Sequence, residues 1–480
     1  MAVDLIGAFD EATQGWADIL MVVTLSADRL DAVVWAAPDR VFGHMSMLDG
    51  WLPLTVQLVA GLALALAIGV RSRRWWLRWM PIVAVAGIVT ALVVRWYIAS
   101  EGLTGDPAPL LFWVWTGLTG AAVAVLAFGW PSARWWRRIA SVVSVPLCLL
   151  CAVLLLNMWV GYVRTVEGAW YFVSGGPPPN QADLATVKAM AGNGIVPHEG
   201  RIVPVKISLA ASGFRHRGEL VYLPPVWFGS VPPPPLPVVM LIGGEFGTSI
   251  DWLWAGNAQK VSDEFAMAHR GNAPVLVFVD SGGTFTKDTE CVNGARGNAA
   301  DHLTKDVVPF MSSTFGVSTD SANWGIAGWS MGGTCAVTLT VRHPELFSAF
   351  VDIGGDIGPN AGTKEQTVER MYNGDEAAWA SFDPTTVMTR HGHYTAVSGV
   401  FVVEGPVDPG NPDAHAAAAR ALAATASAND IACSVLEIHG KHDWSAGAAG
   451  LEQTFPWLAG QLSTPGVQPA PLPGTLIPQP

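Results

Sequence analysis

Residues Trp324–Thr340 read WGIAGWSMGGTCAVTLT, and the fold turns on this stretch. A short apolar run, Trp324–Ala327, leads into a serine with glycine two places before and after it: Gly328, Ser330, Gly332. A helical pattern, Met331–Arg342, follows at once. Gly-x-Ser-x-Gly alone arises by chance. Between a strand and a helix it describes a sharp turn that exposes the serine hydroxyl, where bulkier flanking residues would crowd the backbone. Ser330 is therefore the candidate nucleophile.

The surrounding sequence supplies the rest of such a scaffold. Candidate strands are Ile202–Leu209, Glu219–Leu223, Pro237–Ile242, Val275–Asp280, Trp324–Ala327, Ala349–Ile353, Val400–Glu404 and Cys433–Ile438. From Pro237 onward most are continuous apolar runs, as expected of strands buried on both faces of a parallel sheet. Asp301–Phe315, Met331–Arg342 and Ala414–Ala428 read as crossover helices, and such alternation predicts an α/β fold with a mostly parallel sheet.

A serine nucleophile needs a base, and the base needs an orienting carboxylate. In chain order these should follow as acid and then histidine, each past a later strand end. The loop after Val400–Glu404 offers Asp408 as the leading acid, Glu404 as second and Asp413 as third. The turn after Cys433–Ile438 offers His442 as base, with His439 read as a strand-end residue. His391 and His393 lack a third ligand at metal spacing, and His343, before Pro344, reads as a helix cap. Tetrahedral intermediates need N–H donors. The backbone N–H of Met331 and that of Glu245, in Gly243-Gly244-Glu245-Phe246-Gly247, are the candidates. Asp288 and Glu290 either line the cleft or sit on a solvated loop, the second reading being favoured. No cofactor or metal is expected.

The chain has 480 residues, of which 50% are hydrophobic and 14% charged, with a formal net charge of -12. That balance offers no basic stripe for a nucleic-acid partner. The low charge fraction points to membrane content, and the apolar surplus lies before Tyr162. Four stretches, Trp51–Val70, Trp79–Ala99, Ala108–Trp130 and Ile139–Val160, are long enough to cross a bilayer, which requires roughly 20 mostly apolar residues. Trp75, Trp76, Trp135 and Trp136 mark one interface, and Trp96, Tyr97, Trp159 and Tyr162 the other. Arg71, Arg73, Arg74 and Arg78 follow the first span; Arg134, Arg137 and Arg138 follow the third. The loop between carries Glu101 and Asp106. Arginine-bearing loops face the cytoplasm, so the chain after Val160 is expected outside. Ile19–Ala37, interrupted by Asp28, Arg29 and Asp31, reads as an interfacial or partly inserted helix. Cys148 and Cys151 fall within a span. Cys291, Cys335 and Cys433 permit at most one bridge.

From about Gly200 to Gly460 the chain resembles the esterase branch of the α/β hydrolases that includes the secreted mycoloyltransferases of the antigen 85 type. The residues that carry the likeness are the GWSMGG elbow, Thr304-Lys305-Asp306-Val307-Val308-Pro309, His343-Pro344-Glu345-Leu346-Phe347 and His442-Asp443-Trp444. The resemblance implies catalytic roles for Ser330 and His442. It matches the tryptophan two residues after the family's histidine with Trp444. The loop around Asp408 departs from the family's glutamate-bearing sequence. Phe246 stands where an arginine for sugar binding is expected, which argues against trehalose mycoloyl transfer. Phe246, Trp329 and Trp444 are the candidate substrate-binding side chains. The membrane anchor resembles that of actinobacterial membrane-anchored esterases.

The resulting expectation is a membrane-anchored serine esterase or acyltransferase acting on ester bonds of envelope lipids, with a Ser330, His442, Asp408 triad outside the cell membrane. A catalytically silent hydrolase-fold scaffold, and a thioesterase or peptidase with the same triad, are the alternatives. The expected organisation is an N-terminal segment (1–50), four transmembrane helices (51–162), a linker (163–199), an α/β-hydrolase domain (200–463) and a disordered Pro-rich tail (464–480).

Overall fold

The computed structural model describes residues 45–101, 108–174, 177–284, 287–407 and 413–476. The interfacial helix expected at Ile19–Ala37, the acid Asp106 and the leading triad acid Asp408 lie outside the described residues. Four helices long and apolar enough to cross a membrane come first: α1 (Trp51–Ile68), α2 (Arg73–Glu101), α3 (Leu110–Gly129) and α4 (Trp135–Val160). Helix α4 packs on α1 and α3, and α2 packs on α3. Large apolar side chains such as Leu58, Ile88 and Val153 remain exposed around the bundle, more apolar surface than a water-solvated domain ordinarily leaves uncovered. Two short helices follow, α5 (Val166–Ser174) and α6 (Leu184–Gly192), the latter capped by Asp183.

Among the described residues, the remaining chain builds a nine-stranded mixed sheet and, apart from it, a two-stranded hairpin. The strands in chain order are β1 (Arg201–Val205), β2 (Glu219–Leu223), β3 (Val238–Ile242) and β4 (Val275–Val279), the small hairpin β5 (Asn293–Gly294) and β6 (Gly297–Asn298), then β7 (Trp324–Trp329), β8 (Ala349–Ile353), β9 (Ser398–Gly405), β10 (Ala432–His439) and β11 (Thr475–Leu476). The sheet order is β1-β2-β4-β3-β7-β8-β9-β10-β11. The run from β4 to β10 is parallel, while β1, β2 and β11 pair antiparallel at the edges.

Alternate residues feed two cores, as the two-residue period of a strand requires. Ile326, Phe350 and Phe401 face helices α8 (Met331–Arg342) and α9 (Ala414–Ala428). Ala327, Val351, Val400 and Val402 face α7 (Ala258–Ala268) and α10 (Trp444–Gln461). The crossover expected at Asp301–Phe315 contains a π-helical stretch, His302–Val307. The Pro-rich tail does not behave as a disordered segment through Leu476. Thr475–Leu476 pairs with β10, Ser434 Oγ donates to Pro473 O at 2.6 Å, and Val467, Ala470 and Leu472 pack on the sheet. Apolar side chains among the prolines outweigh the composition. Cys291 and Cys335 form a disulfide with Cα atoms 5.6 Å apart.

Candidate active site

Ser330 sits between β7 and α8 at φ 57°, ψ -125°, a left-sided conformation that costs a non-glycine residue of order 1–3 kcal/mol. The surroundings enforce it. Ser330 N–H donates to Ile353 O at 2.8 Å, and Gly333 N–H donates back to Ser330 O at 2.8 Å. A Cβ on Gly328 would stand 1.9 Å from Gly332 O, and one on Gly332 would stand 2.2 Å from Ile242 O. The two glycines are present because backbone from β3, β7 and α8 converges here.

His442 completes the arrangement. Its Nε2 lies 2.9 Å from Ser330 Oγ and its Nδ1 lies 3.0 Å from Glu404 Oε1. The carboxylate on His442 is thus that of Glu404, which the sequence places second behind Asp408. The reason lies in register. Strands β9 and β10 stay paired to Gly405↔His439, so a turn of only three residues, Gly440 to His442, brings the imidazole back over the end of β9. Asp413 instead caps α9, accepting from Ala416 N–H at 2.8 Å. Burial alone would raise the Glu404 carboxyl, but the hydrogen bond from His442 and the imidazole charge outweigh it and hold the group below the ordinary glutamate range.

Side chains packed around this pair carry no signal in the sequence. Gly354 (φ 63°) follows β8, and a Cβ there would stand 2.6 Å from Glu404 Oε1 and 2.9 Å from His442 Nδ1. His415 stacks on His442 at 4.1 Å between ring centroids, its Nε2 3.9 Å from Asp356 Oδ1. Trp329 and Trp444 are both buried, and Trp329 stacks on His442 at 5.2 Å and contacts Trp444 at 4.6 Å. These rings brace the base from behind. Phe246 is exposed, at φ 61° on the loop after β3.

That loop lies against the nucleophile: a Cβ on Gly244 would come within 3.4 Å of Ser330 Cβ. Gly247 N–H donates to Gly244 O at 2.9 Å, closing a turn that holds Glu245. Arg217 Nη2 braces its end, donating to Gly247 O at 2.6 Å while paired with Asp280 at 2.7 Å. Met331 opens α8, so its N–H has no partner four residues back in the helix.

Asp288 and Glu290 do not sit on a solvated loop; both are buried beside Cys291, whose bridge to α8 draws the segment inward. Burial, followed by the Asp288 carboxyl, pushes Glu245 up to about 9. Burial likewise pushes Asp352, beneath the site, up to about 8. His439 ends β10, and His343 pairs with Glu345 at 2.8 Å at the end of α8. His391 stacks on Tyr394, and His393 bonds Asp430.

Two groups among the described residues have metal-ligand spacing, Glu404–His415–His442 and His216–Glu219–His302. The first shares the triad's own atoms. In the second, His216 already faces Ile207 O and Arg217 O, and His302 faces Glu219 and Asp306. A cavity of about 250 Å³ opens beside Glu404, His415 and His442. A larger one, about 510 Å³, lies at the opposite strand ends near Ser348 and Ser398, remote from Ser330.

The parallel sheet and its strand-turn-helix serine define an α/β hydrolase. Residues 215–458 match the family described as "Putative esterase", and the chain belongs to that family. An uncharacterized protein of Corynebacterium glutamicum is 30% identical over 256 residues, which cover 52% of this chain and 58% of that relative. The matched region thus spans less than two thirds of the relative's length. Among solved structures, an S-formylglutathione hydrolase from Agrobacterium tumefaciens is similar over 56% of this chain and 97% of its own, with 16% identity and a TM-score of 0.46. A fluorophosphonate-binding serine hydrolase of Staphylococcus aureus is similar over 54% and 99%, with 13% identity and a TM-score of 0.43.

Proposed function

We propose that the protein is a membrane-anchored serine esterase or acyltransferase acting on ester bonds of cell-envelope lipids. The observation that carries this reading is the continuous chain Ser330 Oγ, His442, Glu404 at 2.9 and 3.0 Å. In the reaction, Ser330 Oγ attacks the ester carbonyl as its proton passes to His442 Nε2. Glu404 keeps the proton on Nδ1 and balances the imidazolium. The N–H groups of Met331 and Glu245 stabilise the oxyanion. Collapse breaks the bond to the alcohol, which leaves with the Nε2 proton. Water or a second alcohol then repeats the sequence on the acyl-enzyme.

The lipid substrate is supported by where the chain leaves the last apolar helix. Helix α4 has 26 residues, about 39 Å at 1.5 Å per residue, enough to bring its end into the headgroup region. The next residue, Gly161, abuts Asp443 and Trp444, beside the base. The site is therefore held next to bilayer esters. The arginine-rich loops after α1 and α3 support an outward-facing domain, and so does the Cys291–Cys335 disulfide, a bond typical of oxidising compartments.

The test is hydrolysis by the full chain in vesicles, with diacylglycerol in the bilayer and p-nitrophenyl butyrate in solution. Both esters are expected to be cleaved by the wild type and neither by Ser330→Ala. Cleavage of the soluble ester alone would remove the lipid assignment, and cleavage of neither would remove the enzyme. A cysteine placed at Pro178 should react with an impermeant maleimide on intact spheroplasts; labelling only after lysis would reverse the orientation.

A further inference from the structure

Immediately after α4 the chain enters the hydrolase domain between two loops of the active site. Tyr162 Oη donates to Asp251 Oδ1 at 2.6 Å. Asp251 is buried and accepts from Thr248 through both the backbone N–H (2.8 Å) and the hydroxyl (2.5 Å). Thr248 directly follows Gly247, the residue that closes the Gly244–Gly247 turn. Arg164 Nη2 reaches Ala255 O at 3.2 Å and Trp444 O at 3.3 Å. A Cβ on Gly161 would stand 3.0 Å from Asp443 Cβ and 3.2 Å from Trp444 N. Asp443 and Trp444 directly follow His442 in the chain, and Tyr162 also meets the Trp444 ring edge-on at 6.4 Å.

The segment Gly161–Arg164 is also held from the side of α4. Asn157, in the last turn of α4, bonds both polar groups of Val163: Nδ2 donates to its O at 2.8 Å, and Oδ1 accepts its N–H at 2.7 Å. The stretch before α1 pairs with the far end, Met47 N–H donating to Arg164 O at 2.8 Å and Val166 N–H to Met45 O at 3.1 Å. Connecting segments ordinarily run over a surface with few such bonds. This one is bonded to the helix behind it, to a second segment beside it and to two catalytic loops ahead.

The geometry points to Gly161–Arg164 as a strap that sets the distance between the oxyanion loop and the histidine turn, with Tyr162 and Arg164 as positioning residues. It rests on the proposed triad and adds that the last membrane helix is part of the scaffold of the site. Tyr162 acts through Asp251 and Thr248 on the donor loop. Arg164 acts through the first carbonyl of α10 on the turn that carries the base. Neither touches substrate, so both affect the reacting geometry and not the affinity.

The experiment measures kcat and KM for p-nitrophenyl butyrate, the rate of Ser330 labelling by a fluorophosphonate, and Tm, all on the full chain in vesicles. Tyr162→Phe removes one hydroxyl and Arg164→Met removes the guanidinium while keeping the length. Each should lower kcat and the labelling rate roughly tenfold or more with KM nearly unchanged, because a displacement near 1 Å costs on the order of 100-fold. Arg164→Lys, which restores a donor, should recover part of the loss. Wild-type kcat in both variants overturns the strap, as does a loss confined to KM, or one that follows Tm with no rescue by lysine. If Arg164→Met does not fold, Tyr162→Phe decides alone. An unlabelled, inactive wild type would instead remove the triad reading and the strap with it. With an active wild type and a dead Ser330→Ala, the triad stands and unimpaired strap variants overturn the strap alone.

Discussion

Glu404 Oε1 lies 3.0 Å from His442 Nδ1, from a position one residue before the end of a strand and not in the loop beyond it. Its carboxylate is buried and its hydrogen bond fixes which imidazole nitrogen keeps a proton. Glu404→Gln is expected to lower kcat by on the order of 10⁴-fold, as loss of the orienting acid does in serine triads, with substrate binding retained. Asp408→Asn should remain near wild type. Steady-state kinetics of the two variants separate them, and a collapse for Asp408→Asn alone would move the acid into the loop.

Gly354 offers a second test, because its replacement disturbs the same pair from below. A Cβ there would stand 2.6 Å from Glu404 Oε1 on a backbone with φ 63°. Gly354→Ala should cost about 1–2 kcal/mol for the left-handed backbone, and should also cut kcat/KM by about 100-fold through displacement of the catalytic pair. Gly392, also at positive φ but with nothing within 4 Å of its Cβ position, is the control. Gly392→Ala should lose stability alone. Equal kinetics for the two variants would mean that the crowding at Gly354 is harmless.

The Cys291–Cys335 bridge closes a separation of 44 residues between the acidic segment and α8. Loop-closure entropy gives such a link about 4 kcal/mol. Replacing both cysteines by alanine should therefore lower Tm by on the order of 10 °C. Thermal unfolding with and without reductant checks this; an unchanged Tm would show that the bridge does not restrain the unfolded chain.

A pH dependence follows from Glu245. Burial and Asp288 push its carboxyl from 4.5 to about 9. The folded chain thus holds this proton more tightly than the unfolded chain, so the group costs stability progressively as pH rises from about 4.5 toward about 9. Glu245→Gln should match wild type in Tm near pH 4 and exceed it increasingly up to pH 9. A constant difference across that range would contradict the raised value.

Much of this site is legible in the sequence because its signals are local. A strand, a glycine-flanked serine and a helix are adjacent in the chain, and His442 follows a strand that the apolar pattern places. The four helices long and apolar enough to cross a membrane are legible by length and composition. What escapes depends on register and on distant contacts. Glu404 ranks below Asp408 because sequence does not reveal that β9 and β10 pair through Gly405 and His439, leaving so short a return to the strand end. The stacking of Trp329 on His442 and its contact with Trp444 depend on the packing of α10. Asp288 and Glu290 read as a polar loop because nothing local marks the bridge that buries them. The contact of Arg164 with Trp444 spans 280 residues, beyond any local pattern.

Covalent capture of the nucleophile tests the triad most directly. Full-length protein in vesicles is treated with a fluorophosphonate, and the modified peptide is mapped by mass spectrometry in wild type, Ser330→Ala, His442→Ala and the double variant. Wild type should carry the phosphonyl group on Ser330, and His442→Ala should react at a rate near the uncatalysed background. Hydrolysis of p-nitrophenyl butyrate should fall to a similar floor in each single variant and little further in the double, because the two residues act as one unit. An unmodified Ser330 in folded wild-type protein, or losses that multiply in the double variant, would contradict the proposed triad.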